Sequence, residues 1–153
     1  MLVAFNQADN GRVKFEVQAE YNSVDDQNHY VAVGLSKNQN MGQDAVVGCH
    51  GSQVVHYWNT AVPHYSWPLD DSTTGLSEMD IQVADGKIYC SFLRDSVTRL
   101  DLPGLLGDVT IDLDKESYHL ELATGPLSAD DHVAHHSDRG VSAQPFRFNS
   151  MSI

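Results

Sequence analysis

The feature that most constrains this chain is a period of two. Val13, Phe15, Val17 and Ala19 alternate with Lys14, Glu16, Gln18 and Glu20. Only an extended backbone sends those apolar side chains to one face and the polar ones to the other. Met79, Ile81 and Val83 alternate in the same way, and Asp85-Gly86 is a two-residue turn that returns the chain into residues 87–92 as a hairpin. Further strands are expected over residues 30–35, 45–49, 53–58, 109–113, 118–122 and 145–148. No stretch carries an apolar stripe of helical period over three turns. Eight or so short strands parted by turn residues predict an all-β fold, a sandwich or a barrel.

Length and charge narrow the function classes. The 153 residues suit one domain, taken as 1–153, and 41% hydrophobic content is enough for a real core. No apolar run reaches the roughly 18–20 residues that cross a bilayer. The opening Met1-Leu2-Val3-Ala4-Phe5-Asn6-Gln7 lacks the basic start and long apolar stretch of a secretory signal. A formal charge of −12 argues against nucleic acid and anionic lipid as partners and favours cations. Cys49 and Cys90 lie far from any CxxC spacing, so counting leaves two readings open: buried thiols, or one disulfide in an oxidising compartment.

Two segments are long for hairpins, residues 62–77 and 125–144, and long loops on a rigid sandwich are where function usually sits. The second holds His132, His135 and His136 beside Asp130 and Asp131. Imidazoles at that density are candidate ligands for zinc, copper or haem iron, while the plainer reading is a solvated loop. Met41 stands in a polar stretch, Lys37 to Asp44, where a thioether is out of place. A lone methionine usually tucks back on the core, but thioether and imidazole together are the axial pair of an electron-transfer haem. Hydrolytic chemistry finds no GxSxG, HExxH, P-loop or GxGxxG. Asp70-Asp71 and Asp130-Asp131 read as solvated pairs, and Trp58, Tyr65 and Trp67 as core aromatics or, less simply, a sugar-stacking platform.

Particular strings then resemble a known family. Tyr30-Val31-Ala32-Val33-Gly34-Leu35-Ser36, followed by Asn40-Met41-Gly42-Gln43-Asp44 and Cys49, is similar to the opening signature of a DOMON domain. Residues 84–94, around Tyr89-Cys90-Ser91-Phe92, resemble the ferric-chelate reductase branch, also called stromal-cell-derived receptor 2, and so does the run from Tyr118 to His136-Ser137. The resemblance implies an immunoglobulin-like β-sandwich related to the cytochrome domain of cellobiose dehydrogenase. It implies one haem b held between Met41 and His136, with His135 the alternative because this segment is one residue longer than the family pattern. Arg139, Arg94 and Tyr57 are then candidates for its propionates. It also implies a Cys49–Cys90 disulfide and an extracellular or luminal home. Electrons would come from a cytochrome b561-type transmembrane region, absent from this chain, and go to ferric or cupric acceptors. On that reading the chain is a domain excised from a membrane protein, its signal peptide removed. Members that have lost the ligands suggest the rival, a haem-free module for carbohydrate or protein partners.

Overall fold

The computed structural model describes residues 1–21, 28–60, 66–102 and 107–148. Among these described residues twelve strands run in chain order: β1 (Leu2–Gln7), β2 (Val13–Glu20), β3 (His29–Ser36), β4 (Asp44–His50), β5 (Gln53–Asn59), β6 (Ser66–Pro68), β7 (Leu76–Ala84), β8 (Lys87–Arg94), β9 (Val97–Leu102), β10 (Gly107–Asp112), β11 (His119–Pro126) and β12 (Asp138–Val141). Helix among the described residues is limited to a 3-10 turn, Asp9–Gly11. The strands form a four-stranded sheet, β1-β2-β8-β7, and a six-stranded sheet, β12-β11-β3-β4-β5-β6, with β9 and β10 as a separate ribbon. All pairings within them are antiparallel. The two larger sheets pack face to face as a sandwich, and their inward side chains make the core.

The sequence period explains that packing. Val13, Phe15, Val17 and Ala19 of β2 and Ile88, Cys90 and Phe92 of β8 point inward. They meet Val31, Val33 and Leu35 of β3, Ala45, Val47 and Cys49 of β4, and Val54 and Trp58 of β5. Phe15 and Phe92 stack with ring centroids 5.5 Å apart. The 85–86 hairpin forms as the sequence demands, with Asp85 at φ 54° and Gly86 at φ 72°, the pair of positive angles that matches strand twist. Cys49 and Cys90 are joined in a disulfide between β4 and β8, Cα to Cα 6.3 Å, which ties one sheet to the other.

Two expectations change, and one choice left open is decided for the plainer reading. Residues 145–148 make only an isolated bridge, Tyr118 to Phe146, and Phe148 packs into the core against Phe5 and Phe15. Trp58 is core, 3% exposed, because it shares the inward parity of Val54, while Trp67 stands 53% exposed on β6. That separates the two tryptophans proposed as a platform, and Tyr65 lies outside the described residues. Arg94 continues the inward parity of Ile88, Cys90 and Phe92, so its guanidinium is buried between the sheets. Its Nη1 donates to His56 Nε2 at 3.4 Å, and His56 Nδ1 donates to the Thr74 carbonyl at 3.1 Å. Burial, then the adjacent guanidinium, holds the His56 pKa at about 3, so the ring is a neutral acceptor. The Arg94 Nε and Nη2 have no hydrogen-bond partner among the described residues.

Candidate functional site

The outer face of the six-stranded sheet is the unusual surface. Strand β2 alternates buried and wetter positions, but β4 is buried along its whole length and β3 and β5 nearly so. Something therefore covers their outer side. Register identifies the residues of that side: Tyr30, Ala32 and Gly34 on β3; Val46, Gly48 and His50 on β4; Val55 and Tyr57 on β5; Glu121, Ala123 and Gly125 on β11. Tyr30, Ala32, Val46, Val55 and Tyr57 form a second apolar cluster, separate from the core, with Ala123, Leu127 and Val133 packed against it. Its middle is low in relief, because Ala32, Gly34, Gly48 and Ala123 carry at most a methyl group.

Among the described residues, the segment after β11 supplies cover for this face. Leu127 bridges Val133, and Ser128 N–H donates to the His132 carbonyl at 2.7 Å, which folds residues 127–133 into a tight excursion. The excursion lies back on the sheet. Val133 sits where a side chain at Gly48 would be, 3.0 Å from the position of that absent Cβ. The Tyr30 hydroxyl donates to the Ala134 carbonyl at 2.8 Å. The Tyr57 hydroxyl accepts a hydrogen bond from the Val133 backbone and reaches His50 Nε2 at 3.1 Å. Burial, then the nearby His132, pushes the His50 pKa below the ordinary histidine value. The His132 ring meets Tyr57 edge-on at 6.2 Å, and its Nδ1 is buried without a partner among the described residues.

His136 follows directly. Its backbone lies over Gly125 at the Tyr30 end of β3 and β11. The imidazole is half-buried, and burial, then His135 and Arg139, pushes its pKa below the ordinary histidine value. His135 is exposed instead, with Nδ1 donating to the His136 carbonyl at 2.9 Å.

Met41 sits at the other end of the same strands. Residues 37–43 join Ser36 of β3 to Asp44 of β4. Met41 is half-buried, and the turn around it is pinned. Gly42 N–H donates to Asp44 Oδ2 at 2.6 Å, and Gln43 N–H donates to the Asn59 carbonyl at 2.7 Å. Gln39 Nε2 donates to the Ser142 and Ala143 carbonyls at 3.1 and 3.2 Å. Gly42 has φ 129°, which explains a glycine directly after the methionine. The register thus sets Met41 and His136 at opposite ends of one strand pair, not side by side. From Tyr30 to Gly34 the face between them spans about 13 Å at strand rise.

An acid lies on this face, and sequence reading missed it. Glu121 pairs with Gly34, and its Oε2 lies 3.0 Å from where a Gly34 Cβ would be, so the carboxylate rests over the glycine. Burial, then the charge of Asp44, lifts its pKa to about 8, with Arg139 acting in the other direction. In sequence Glu121 is an ordinary polar residue of an alternating strand, and only the register shows that its face is covered. Arg139 stands opposite Ala123 on β12, exposed and on the same side. Tyr57 is also on this side but is held by His50, while Arg94 is on the far side of the sheet, in the core. Among the described residues no three His, Cys, Asp or Glu side chains converge as a metal-binding group. Asp70, Asp71, Asp130 and Asp131 are all exposed.

Comparison with known proteins decides the family. Residues 1–118 match the DOMON domain model. The chain belongs to the DOMON family. The match includes Met41 and ends before His136. This DOMON chain is 33% identical over 121 residues to the putative ferric-chelate reductase 1 homolog of Drosophila melanogaster, covering 76% of this chain and 18% of the relative. It is 33% identical over 111 residues to human ferric-chelate reductase 1, covering 72% of this chain and 17% of the relative. The chain thus spans less than a fifth of the length of those relatives. Among solved structures it resembles the cytochrome domain of Myriococcum thermophilum cellobiose dehydrogenase, with a TM-score of 0.54 and 11% identity, over 96% of this chain and 73% of that one. At that identity the likeness speaks for the fold, and it agrees with the sandwich. No helix among the described residues is long and apolar enough to cross a membrane.

Proposed function

We propose that residues 1–153 form one DOMON domain that carries a single haem b on the outer face of the six-stranded sheet. In this reading Met41 and His136 are the axial ligands, and the domain passes electrons one at a time. It is the extracellular or luminal part of a membrane-bound protein resembling ferric-chelate reductase 1. A cytochrome b561-type transmembrane region supplies the electrons, and ferric or cupric ions take them up. The names of the relatives support the reductase context. The disulfide supports an oxidising compartment.

The single observation that carries the reading is the outer face itself. A low apolar surface is bounded at one end by the methionine turn and at the other by a histidine segment seated on the sheet. The donor set fits such a group. The thioether is neutral, and burial pushes the His136 pKa below the ordinary histidine value, which favours the neutral ring whose nitrogen has a lone pair to offer. His136 fits better than His135 because it is half-buried at the sheet, while His135 is exposed.

Haem iron supplies a one-electron couple, and methionine ligation favours the reduced state. The protein's own residues do the rest. Met41 and His136 would hold the iron, and with both ligands supplied by the protein an acceptor would take its electron without binding the metal. Ala32 and Ala123, with side chains no larger than a methyl group, would keep the sheet low beneath a flat ring. Val46, Val55 and Val133 exclude water there. Arg139, on the open β12 edge, is the cation in reach of a carboxylate substituent, and Glu121 is a second acid that stays largely protonated at neutral pH. The net charge of −12 draws metal cations to the surface, an attraction that weakens with salt.

The test is a visible spectrum of the purified domain with haem added, oxidised and then reduced with dithionite. A Soret band that shifts and sharpens on reduction, with resolved α and β bands, is the expected result. A protein that remains colourless after haem is added and the excess removed would overturn the reading, and the haem-free binding module would take its place.

A further inference from the structure

We infer that Gly125 is a positioning residue for His136: the missing side chain lets the backbone of residues 135–137 lie directly on β11, and this seat fixes where the imidazole is presented. The inference rests on the haem reading above, and its test separates the two.

A Cβ at position 125 would stand 3.0 Å from the His135 carbonyl oxygen, 3.0 Å from the His136 Cα and 3.1 Å from the Ser137 nitrogen. All three are backbone atoms, so no flexible side-chain tip can swing aside. Gly125 is an ordinary strand residue paired with Tyr30, so close approach rather than backbone conformation is what favours glycine there. Hydrogen bonds bracket the histidine on both sides. Ser137 N–H donates to the Thr124 carbonyl at 2.9 Å, and the Ser137 hydroxyl donates to the same oxygen at 3.2 Å. Ala134 N–H donates to the Pro126 carbonyl at 3.2 Å, and the Tyr30 hydroxyl donates to the Ala134 carbonyl at 2.8 Å. His136 is thus carried on a short span anchored before and after it and pressed against a bare strand. A methyl group at 125 lifts that span by a few tenths of an ångström, more than the ~0.2 Å tolerance of a metal–ligand bond.

The experiment compares wild type, Gly125→Ala and Gly140→Ala. Gly140 is a matched control, a β12 glycine whose Cβ would meet nothing within 4 Å. Amide hydrogen exchange is measured without haem, and haem is then titrated with the spectrum recorded. Gly125→Ala is expected to speed exchange of the Ser137 amide at least tenfold, weaken haem binding at least tenfold and shift part of the spectrum to high spin. Added imidazole should restore the low-spin bands, while Gly140→Ala stays like wild type. If Gly125→Ala matches Gly140→Ala in exchange or in spectrum, the inference is overturned. If Gly125→Ala fails to fold, Tyr30→Phe removes only the Ala134 hydrogen bond and must move both readouts in the same direction. A wild type that takes up no haem defeats the proposed function instead, and the exchange arm still decides whether Gly125 seats the segment.

Discussion

The two faces of the six-stranded sheet share their strands and differ in what those strands present. Inward, β3 and β4 offer Val31, Val33, Leu35 and Val47, which interlock with Phe15 and Phe92 of the other sheet beside the disulfide that joins the two. Outward, one residue out of phase, the same strands offer Ala32, Gly34 and Gly48, with a covered acid and a segment laid over them. The inward face is filled by large side chains held in place from across the sandwich. The outward face is shallow, and most of its cover comes from one excursion of the chain. The difference teaches that burial alone does not define the core. A face buried by small residues and polar anchors is arranged for something other than packing.

Breaking the inward face has the largest expected effect. Phe92→Ala deletes a fully buried ring and is expected to cost about 3–5 kcal/mol of stability, read from thermal or urea unfolding. Any loss of haem uptake would simply follow the fold. Removing the disulfide with Cys49→Ala and Cys90→Ala together is expected to cost about 2–4 kcal/mol, because the bond closes a loop with a sequence separation of 41. Heating with and without reductant checks this in wild type.

Outer-face changes sharpen the comparison because they should leave the fold in place. Met41→Ala and His136→Ala are expected to change stability by less than about 1 kcal/mol. A drop the size of the Phe92→Ala effect would mean that these residues serve packing.

The pH dependence separates the faces again. Glu121, with its pKa lifted to about 8, binds a proton more tightly in the folded state than in the unfolded chain. Its contribution to stability is therefore full below the ordinary carboxylate range and is lost as pH rises through about 8. Glu121→Gln should flatten the decline in melting temperature between pH 5 and 8, a range set by this shift. His56 on the inward side works in the opposite sense. Its pKa is held at about 3 against an ordinary 6.5, so stability falls as pH drops through that window. A melting curve independent of pH on both sides of neutrality would contradict both assignments.

The strands were largely legible, because alternation on β2 and the 85–86 turn depend on local chemistry alone. Strands β1, β6, β9 and β12 escaped notice: β1 and β6 are short and partly exposed, Val97, Leu100 and Leu102 are interleaved with polar residues, and Asp138–Val141 is an exposed edge whose pairing is set by β11. Within the site, the chemistry of Met41, His135 and His136 could be suspected from residue type. Glu121, Gly125 and the Tyr57–His50 pair could not, because their meaning lies in cross-strand register and in where residues 127–137 fold back. Arg94 went the other way: its charge suggested a surface anion partner, while its parity on β8 sent it into the core.

The most direct test of the central claim is a haem titration of Met41→Ala, His135→Ala and His136→Ala beside wild type, read in the Soret and α-band regions. The account predicts low-spin spectra for wild type and His135→Ala, and loss of low-spin character or of binding for Met41→Ala and His136→Ala. Haem bound with an unchanged low-spin spectrum in both Met41→Ala and His136→Ala would contradict it.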